Sequence, residues 1–120
     1  LVARRAKKDA PDKGGWNILI TSTSSVDSLD PVNSSFISAS CDKAWFGWPC
    51  DEELERRRVA FADAATPEAQ RRALDAIQER YLEVVPFIAL GQITKPIAHR
   101  SNVSGFVASP LLAIWNVEKN

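Results

Sequence analysis

The residues of this chain that could carry chemistry are few and far apart. Its two cysteines, Cys41 and Cys50, lie nine positions apart in CDKAWFGWPC, and its one histidine is His99. A zinc site normally needs four protein ligands, so these three residues would still require a carboxylate. The cysteine spacing also differs from the C-x-x-C of redox enzymes, whose short loop lowers the pKa of the nucleophile. We therefore expect no metal, no cofactor and no redox catalysis.

Two interpretations of the cysteine pair remain. A disulfide between Cys41 and Cys50 would close an irregular loop and stabilise the fold by about 2.7 kcal/mol through chain entropy. Two buried free thiols are the alternative. The disulfide is favoured, and it implies an oxidising compartment.

Nucleophilic catalysis finds no support in the sequence. His99 lies in KPIAHR, and the chain contains no G-x-S-x-G elbow to present a serine. Most carboxylates fall in amphipathic segments, where acids usually form a solvated helix face. We expect a protein that is not an enzyme.

Two carboxylates stand apart because they lie in a serine-rich stretch, residues 21–40, just beyond an apolar segment. Ligands of open α/β sheets gather beyond the carboxyl ends of strands, so Asp27 could receive a ligand cation or ammonium group. The alternative is that these acids form only Asx turns and helix caps. That alternative is favoured for Asp30 and stays open for Asp27.

Three aromatic residues between the cysteines offer large rigid faces on a constrained loop. Trp45, Phe46 and Trp48 could form the wall of a ligand pocket, because such pockets are lined mainly by apolar and aromatic side chains. Most aromatic residues belong to the core, so packing is the alternative for Trp45 and Trp48.

Composition limits the class of protein. With 120 residues, of which 45% are hydrophobic, the chain is long enough for one domain with a core. Lysine plus arginine equals aspartate plus glutamate at 15 each, so no net field favours a nucleic-acid partner. The longest apolar run, VVPFIAL, is far below the 18 to 20 or so residues that span a bilayer. Without a methionine or a signal-like start, we expect either an excerpt from a longer chain or a processed chain.

The elements that must position these residues follow from periodicity and capping. Asp51 and Thr66-Pro67 are typical helix starts, and apolar residues recur at helical spacing after each. We predict an α/β or α+β pattern with two helices side by side and strands at both ends. The predicted helices cover residues 51–65 and 66–85, with a helix end at residues 1–8 and a short helix after Pro31; the predicted strands cover 16–21 and 86–90, with weaker extended segments at 96–99, 106–108 and 112–117.

Several stretches together carry a likeness to a known family. Their order and spacing resemble the C-terminal part of the family 5 extracellular solute-binding proteins of ABC importers, which include dipeptide-, oligopeptide- and nickel-binding proteins. In that family a buried strand leads into a loop with an Asp-Pro step, and two antiparallel helices precede a strand and an R-x-N-V-x-G-F turn. The stretches are GGWNILIT, DSLDP, GWPCDEELERRRVAFADAATPEAQRRALDAIQERYLEVVPFIALG and AHRSNVSGFVASPLLAIWNV, nearly all of the chain.

This resemblance implies a fold and a domain arrangement. The fold is an incomplete C-terminal portion of the periplasmic binding protein type II-like α/β class, with two antiparallel helices and a few strands. Residues 1–85 would form part of the C-terminal, ligand-side lobe, and residues 86–120 would be strands that return to the N-terminal lobe. As a fragment, the isolated chain should self-associate through unpaired strand edges.

The resemblance also implies roles for particular residues. In dipeptide-binding members, an aspartate three residues before the Asp-Pro aspartate pairs with the ligand's α-amino group, and Asp27 has that position relative to Asp30. Where the family often has an aromatic Gly-Trp pair, this chain has the polar stretch Ser22 to Ser25 (STSS). Some members place a cysteine pair around the variable segment, which supports a disulfide between Cys41 and Cys50.

The function implied is that of the substrate-binding component of an ABC transporter. It would capture a peptide or another small solute, in the periplasm or on the cell surface with a lipid anchor, and deliver it to the transmembrane permease subunits. An alternative from another class of function is a small secreted α+β interaction module that its disulfide stabilises.

Overall fold

The computed structural model describes residues 2–94, 96–109 and 112–120. The chain divides into two compact units, Leu1–Ile88 and Ala89–Asn120. Over the described residues it is an α-rich structure with three α-helices and one two-stranded sheet. No helix in this described part is long and apolar enough to cross a membrane. The elements are α1 (Val2–Arg5), α2 (Glu52–Ala62), α3 (Pro67–Val84), β1 (Val103–Ser104) and β2 (Glu118–Lys119).

The two longer helices form where the capping residues predicted them. The Asp51 carboxylate accepts a hydrogen bond from the backbone N–H of Leu54 at 2.7 Å, which satisfies an otherwise unpaired donor of α2. The Thr66 hydroxyl accepts one from Ala69 N–H at 3.2 Å at the start of α3. At the other end of α3, Val85 takes a left-handed conformation with a φ of 44° and ends the helix. The prediction of two capped helices is confirmed, although α2 ends three residues earlier than predicted.

The helix pair encloses the core of the first unit. The N-terminal end of α2 contacts the C-terminal half of α3, where Arg80 bonds Asp51, and Arg57 further along α2 reaches back to the Ala76 carbonyl at 2.5 Å. The two helices therefore run antiparallel. The buried core residues are Ala39, Leu54 and Ile77, against which Ile37, Phe61 and Val84 pack.

The predicted strand at residues 16–21 is not formed. These residues have no regular secondary structure, no described segment pairs with their backbone, and the side chains of Ile18 and Ile20 are 81% and 71% exposed. A strand needs a partner to satisfy its N–H and C=O groups, so apolar composition alone does not produce one. The same correction applies to residues 86–90, where the chain bends after α3 and Ile88 and Leu90 are 74% and 76% exposed.

The second unit contains the sheet, at positions other than those predicted. β1 and β2 pair antiparallel, with Val103 opposite Lys119 and Ser104 opposite Glu118. Gly105 follows β1 with a φ of 84°, and a Cβ there would lie 1.9 Å from the Asn116 carbonyl oxygen. This turn needs a glycine because the backbone approaches so closely. The predicted extended segments at 96–99, 106–108 and 112–117 all lie outside the two strands.

Candidate functional site

A polar cavity in the first unit brings together two of the predicted ligand residues. Its volume is about 290 Å³. Asp27 lies on one part of its lining and Trp45 on another, although the sequence places them in separate segments. The serine-rich stretch that follows residue 20 supplies much of the remaining surface. The lining residues are Arg5, Thr21, Ser22, Thr23, Asp27, Asn33, Ser35, Phe36 and Trp45.

Asp27 is presented by a 3₁₀-helix, Ser25–Ser28, which starts with the Asp27 N–H donating to the Ser24 carbonyl at 3.1 Å. Its side chain is exposed. Among the residues that the structure describes, the Asp27 carboxylate has no hydrogen-bond or ion-pair partner. It is therefore not used in an Asx turn and is free to accept hydrogen bonds from a ligand.

Asp30 behaves differently and forms a turn, as favoured from the sequence. Its carboxylate accepts hydrogen bonds from the N–H groups of Val32 and Asn33, at 2.6 and 3.2 Å. The short helix predicted after Pro31 is wrong, since residues 31–33 form a turn. The reason lies in α2, where Arg58 donates to the carbonyls of Pro31 and Val32 at 2.9 and 2.8 Å. These carbonyls would be needed to continue a helix.

Cys41 and Cys50 form a disulfide, with Cα atoms 4.1 Å apart. This agrees with the interpretation favoured from the sequence over two free thiols. The backbone reinforces the closure, because Cys41 N–H donates to the Pro49 carbonyl at 3.0 Å and Ser40 forms an isolated antiparallel bridge with Cys50. We call residues 41–50 the cysteine loop.

The two tryptophans of the cysteine loop have different surroundings. The half-buried Trp45 ring lies 5.0 Å from the Phe36 ring, and both rings line the cavity. Trp48 is not among the cavity residues; its ring lies 6.0 Å from Trp16, with the Lys8 ammonium 4.8 Å from its centre. Trp45 and Asp27 therefore line the same cavity, and Trp48 does not. The ligand contacts predicted for all three residues stay predictions.

Nothing in the sequence indicates that Arg5 lines the cavity, because its segment, residues 4–8 (RRAKK), has the composition of a solvated helix end. In the structure the centre of the Arg5 guanidinium lies 4.6 Å from the Phe46 ring and 5.9 Å from the Trp45 ring. The helix turn that carries it is fixed by Trp16, whose indole N–H donates to the Arg5 carbonyl at 3.0 Å. No local pattern could reveal this contact, since its partners lie in the distant cysteine loop.

A larger cavity of about 640 Å³ lies beside α2. Its surface is largely apolar, and two of its charged residues already have partners: Glu55 binds Arg58, and Arg56 binds Glu53. Asp27 and the tryptophans do not line it. Glu52 and Asp63 complete its charged lining, and none of the residues predicted to bind ligand lies there. Over the described residues, no group of three or more His, Cys, Asp or Glu is arranged to hold a metal ion.

Comparison with known proteins gives one informative match. The chain is 31% identical over 119 residues, 99% of its length, to the "Probable peptide ABC transporter periplasmic-binding protein y4tO" of Sinorhizobium fredii (strain NBRC 101917 / NGR234). It spans 22% of the length of that relative. No family profile matches the chain, and no solved structure matches it significantly. The predicted resemblance to peptide-type solute-binding proteins of ABC transporters is confirmed.

Proposed function

We propose that this chain is part of the substrate-binding component of an ABC importer, which captures a peptide or a similar small solute and delivers it to the permease. One observation carries the proposal: 31% identity, sustained over 99% of the chain, to a protein described as the periplasmic binding protein of a peptide transporter. Likeness along the whole chain points to a shared structural framework rather than to one common motif.

The cavity supports a binding role for this part of the protein. It combines a free carboxylate, Asp27, with the aromatic wall formed by Trp45 and Phe36. Small-molecule sites commonly pair apolar and aromatic walls with a few polar groups that fix orientation. Asp27 would bind the ammonium group of the solute, and Trp45 would cover its apolar part. The protein would bind its solute and would not transform it.

The proposal also includes the cellular location of the protein and the assignment of its residues to two lobes. The protein would work in the periplasm or, with a lipid anchor, on the cell surface, where the Cys41–Cys50 disulfide is stable. Its fold would be part of a type II binding protein, in which residues 1–85 belong to the ligand-side lobe and residues 86–120 to the other. Closure of the lobes on the solute would be a hinge motion, favoured by contacts made only in the closed state.

The test is identification of the solute that the protein carries. The full-length protein is purified without denaturation, and the small molecules released by denaturing it are identified by mass spectrometry. We expect peptides or amino compounds in amounts close to one per protein, and calorimetry should show that the same compounds rebind after their removal. A full-length protein that retains and rebinds none of these would overturn the proposal and would favour a secreted interaction module.

A further inference from the structure

We propose that the Cys41–Cys50 disulfide is a redox-sensitive switch: its reduction by a dithiol frees the cysteine loop and displaces the wall that Trp45 contributes to the cavity. This inference rests on the proposed function and concerns the regulation of the same site. In an oxidising compartment the disulfide form, which holds the wall in place, is the default state. The reduced form would bind solute more weakly.

The disulfide is open to a reductant on the side of Cys50. Cys50 is exposed, whereas Cys41 is half-buried. Exposed disulfides are typically the labile or regulatory ones. One thiolate of the dithiol attacks the Cys50 sulfur, forms a mixed disulfide and releases Cys41 as a thiolate, which takes up a proton. The second thiolate of the reductant then displaces the Cys50 sulfur, so the protein gains two thiols and the reductant leaves as a disulfide.

The backbone of the cysteine loop is held in conformations that it can leave once the disulfide is open. Cys41 has a φ of 57° and Trp48 a φ of 48°, in the left-handed region that residues other than glycine rarely adopt. Such conformations persist only where the surrounding structure imposes them. The disulfide constrains Cys41 directly, and with it the direction in which the chain enters the loop. Reduction therefore allows Cys41 to return to an ordinary backbone conformation.

The loop presents an aromatic wall to the cavity. The Trp45 ring lies 5.0 Å from the ring of Phe36, which belongs to the serine-rich stretch, and both residues line the cavity. On its other side, the Trp45 ring lies 5.1 Å from the Phe46 ring of the same loop. A change in the course of the loop therefore moves a large apolar part of the site.

Apart from the disulfide, few contacts hold the loop to the rest of the first unit. Among the described residues, every backbone hydrogen bond of residues 42–49 stays within residues 40–50. The ion pair between Lys8 and Asp42 is exposed at both ends, and exposed pairs add little stability. The remaining contacts are those of the aromatic rings with neighbouring side chains. The position of the wall thus depends mainly on the disulfide.

The helix pair has its own attachments, so the change stays local. The Asp51 carboxylate caps α2 and accepts a hydrogen bond from Arg80 of α3 at 2.6 Å. The Asp51 N–H donates to the Ala39 carbonyl in the core at 2.9 Å. None of these bonds involves a cysteine. Reduction can therefore free the loop while α2 and α3 stay folded, which distinguishes a switch from general unfolding.

The experiment compares the full-length protein before and after reduction with dithiothreitol. Hydrogen–deuterium exchange of the solute-free protein, read by mass spectrometry, reports on the loop. A titration with an equimolar mixture of di- and tripeptides, with bound peptide quantified by mass spectrometry after ultrafiltration, reports on the site. The control is the Cys41→Ala, Cys50→Ala double variant, in which dithiothreitol should change neither measurement. Any effect of the reductant elsewhere in the protein would appear in this variant.

We expect reduction to speed exchange at residues 42–49 and to leave the protection of α3, residues 67–84, unchanged. The peptide concentration at half-saturation should rise about 10-fold, as when the reduced loop holds the wall in place about a tenth of the time. The double variant should bind peptides as the reduced wild type does. Reoxidation of the wild type should restore both the exchange and the affinity.

The outcomes separate this inference from the function on which it rests. Peptide binding that is the same in both redox states would overturn the switch and leave the proposed function standing. Unchanged exchange at residues 42–49 would also overturn it, because the loop would not be freed. If α3 loses its protection as well, the disulfide supports the whole fold and the inference is wrong. If the oxidised protein binds no peptide, both proposals fail.

Discussion

Arg80 donates hydrogen bonds to both carboxylate oxygens of Asp51, from Nε to Oδ1 at 3.0 Å and from Nη2 to Oδ2 at 2.6 Å. Asp51 is also the N-cap of α2, so one carboxylate starts one helix and ties it to the other. The residue before it is Cys50 of the disulfide, and its own N–H donates to the Ala39 carbonyl in the core at 2.9 Å. The helix pair and the cysteine loop therefore meet at a single residue.

The Asp51–Arg80 pair predicts a dependence of stability on pH. The hydrogen bonds from Arg80 and from Leu54 N–H lower the pKa of Asp51 from 3.8 to about 2. A carboxyl group whose pKa is lower in the folded state stabilises the fold above its unfolded pKa, and this contribution is lost as pH falls toward the folded value. We expect the thermal midpoint of the wild type to fall between pH 4 and pH 2 partly for this reason.

The variant Asp51→Asn isolates the contribution of the ion pair to stability, because asparagine is also a good N-cap and keeps that role. Thermal unfolding followed by circular dichroism should place the variant about 5 °C below the wild type at pH 5, and the difference should shrink toward pH 2. A difference that does not change with pH would show that the ion pair contributes nothing beyond the cap.

Replacement of Leu54 tests where the core lies. Leu54 is fully buried against Ile77, so Leu54→Ala should lower the free energy of unfolding by about 2–5 kcal/mol. Leu82→Ala is the matched control, because Leu82 lies on α3 but is 73% exposed, and it should change the free energy by less than about 0.5 kcal/mol. Urea denaturation measures both. Equal losses would contradict the described core.

Reduction of the disulfide should destabilise the first unit. With the cysteine loop open, the unfolded chain regains conformational freedom, and the free energy of unfolding should fall by about 2.7 kcal/mol. Urea denaturation with and without dithiothreitol measures this effect. A Cys41→Ala, Cys50→Ala double variant is the control, since reductant should leave it unchanged. Equal stability of oxidised and reduced wild type would remove the structural role of the disulfide.

Removal of the Asp27 charge should weaken solute binding. Because this carboxylate has no partner among the described residues, Asp27→Asn should lower affinity about 10- to 100-fold in calorimetry with the full-length protein, without altering the thermal midpoint. Asp12→Asn is a close control, since Asp12 is also an exposed acid in a 3₁₀-helix but lies outside the cavity. Unchanged affinity of Asp27→Asn would remove Asp27 from the site.

The exposed apolar segment at residues 16–21 should make the isolated chain of 120 residues self-associate, because its backbone has no described partner and invites pairing with a second copy. Sedimentation velocity should show mass rising with concentration, and Ile18→Lys with Ile20→Lys should abolish the rise. The control is Val59→Lys with Leu82→Lys, two exposed helical positions with satisfied backbones. A wild type that stays monomeric would contradict this prediction.

Local signals predicted the helices well and the strands poorly, for a physical reason. Asp51 and Thr66 act on N–H groups three residues away, so the residues that define each helix start are adjacent in sequence. A strand depends on a partner that can lie anywhere, and the apolar segment at 16–21 has none among the residues that the structure describes.

The cavity residues differ in the same way, since one could be predicted from its local sequence and another depends on distant contacts. Asp27 could be proposed from its place in a polar stretch after an apolar segment, and the family resemblance gave it a role. Arg5 could not, because its contact with Trp45 and Phe46 arises only when the cysteine loop folds back on α1.

The closure of the cysteine loop at its base has a consequence for how such a binding site can diversify. The chain enters and leaves the loop through one point, where the disulfide and the Ser40–Cys50 bridge lie beside Asp51. Residues 42–49 can therefore be exchanged, shortened or extended while the start of α2 keeps its place. Under the proposed function, the wall that Trp45 contributes would adapt to a new solute without refolding of the helices, which would make this loop a suitable segment to randomise when specificity is to be changed.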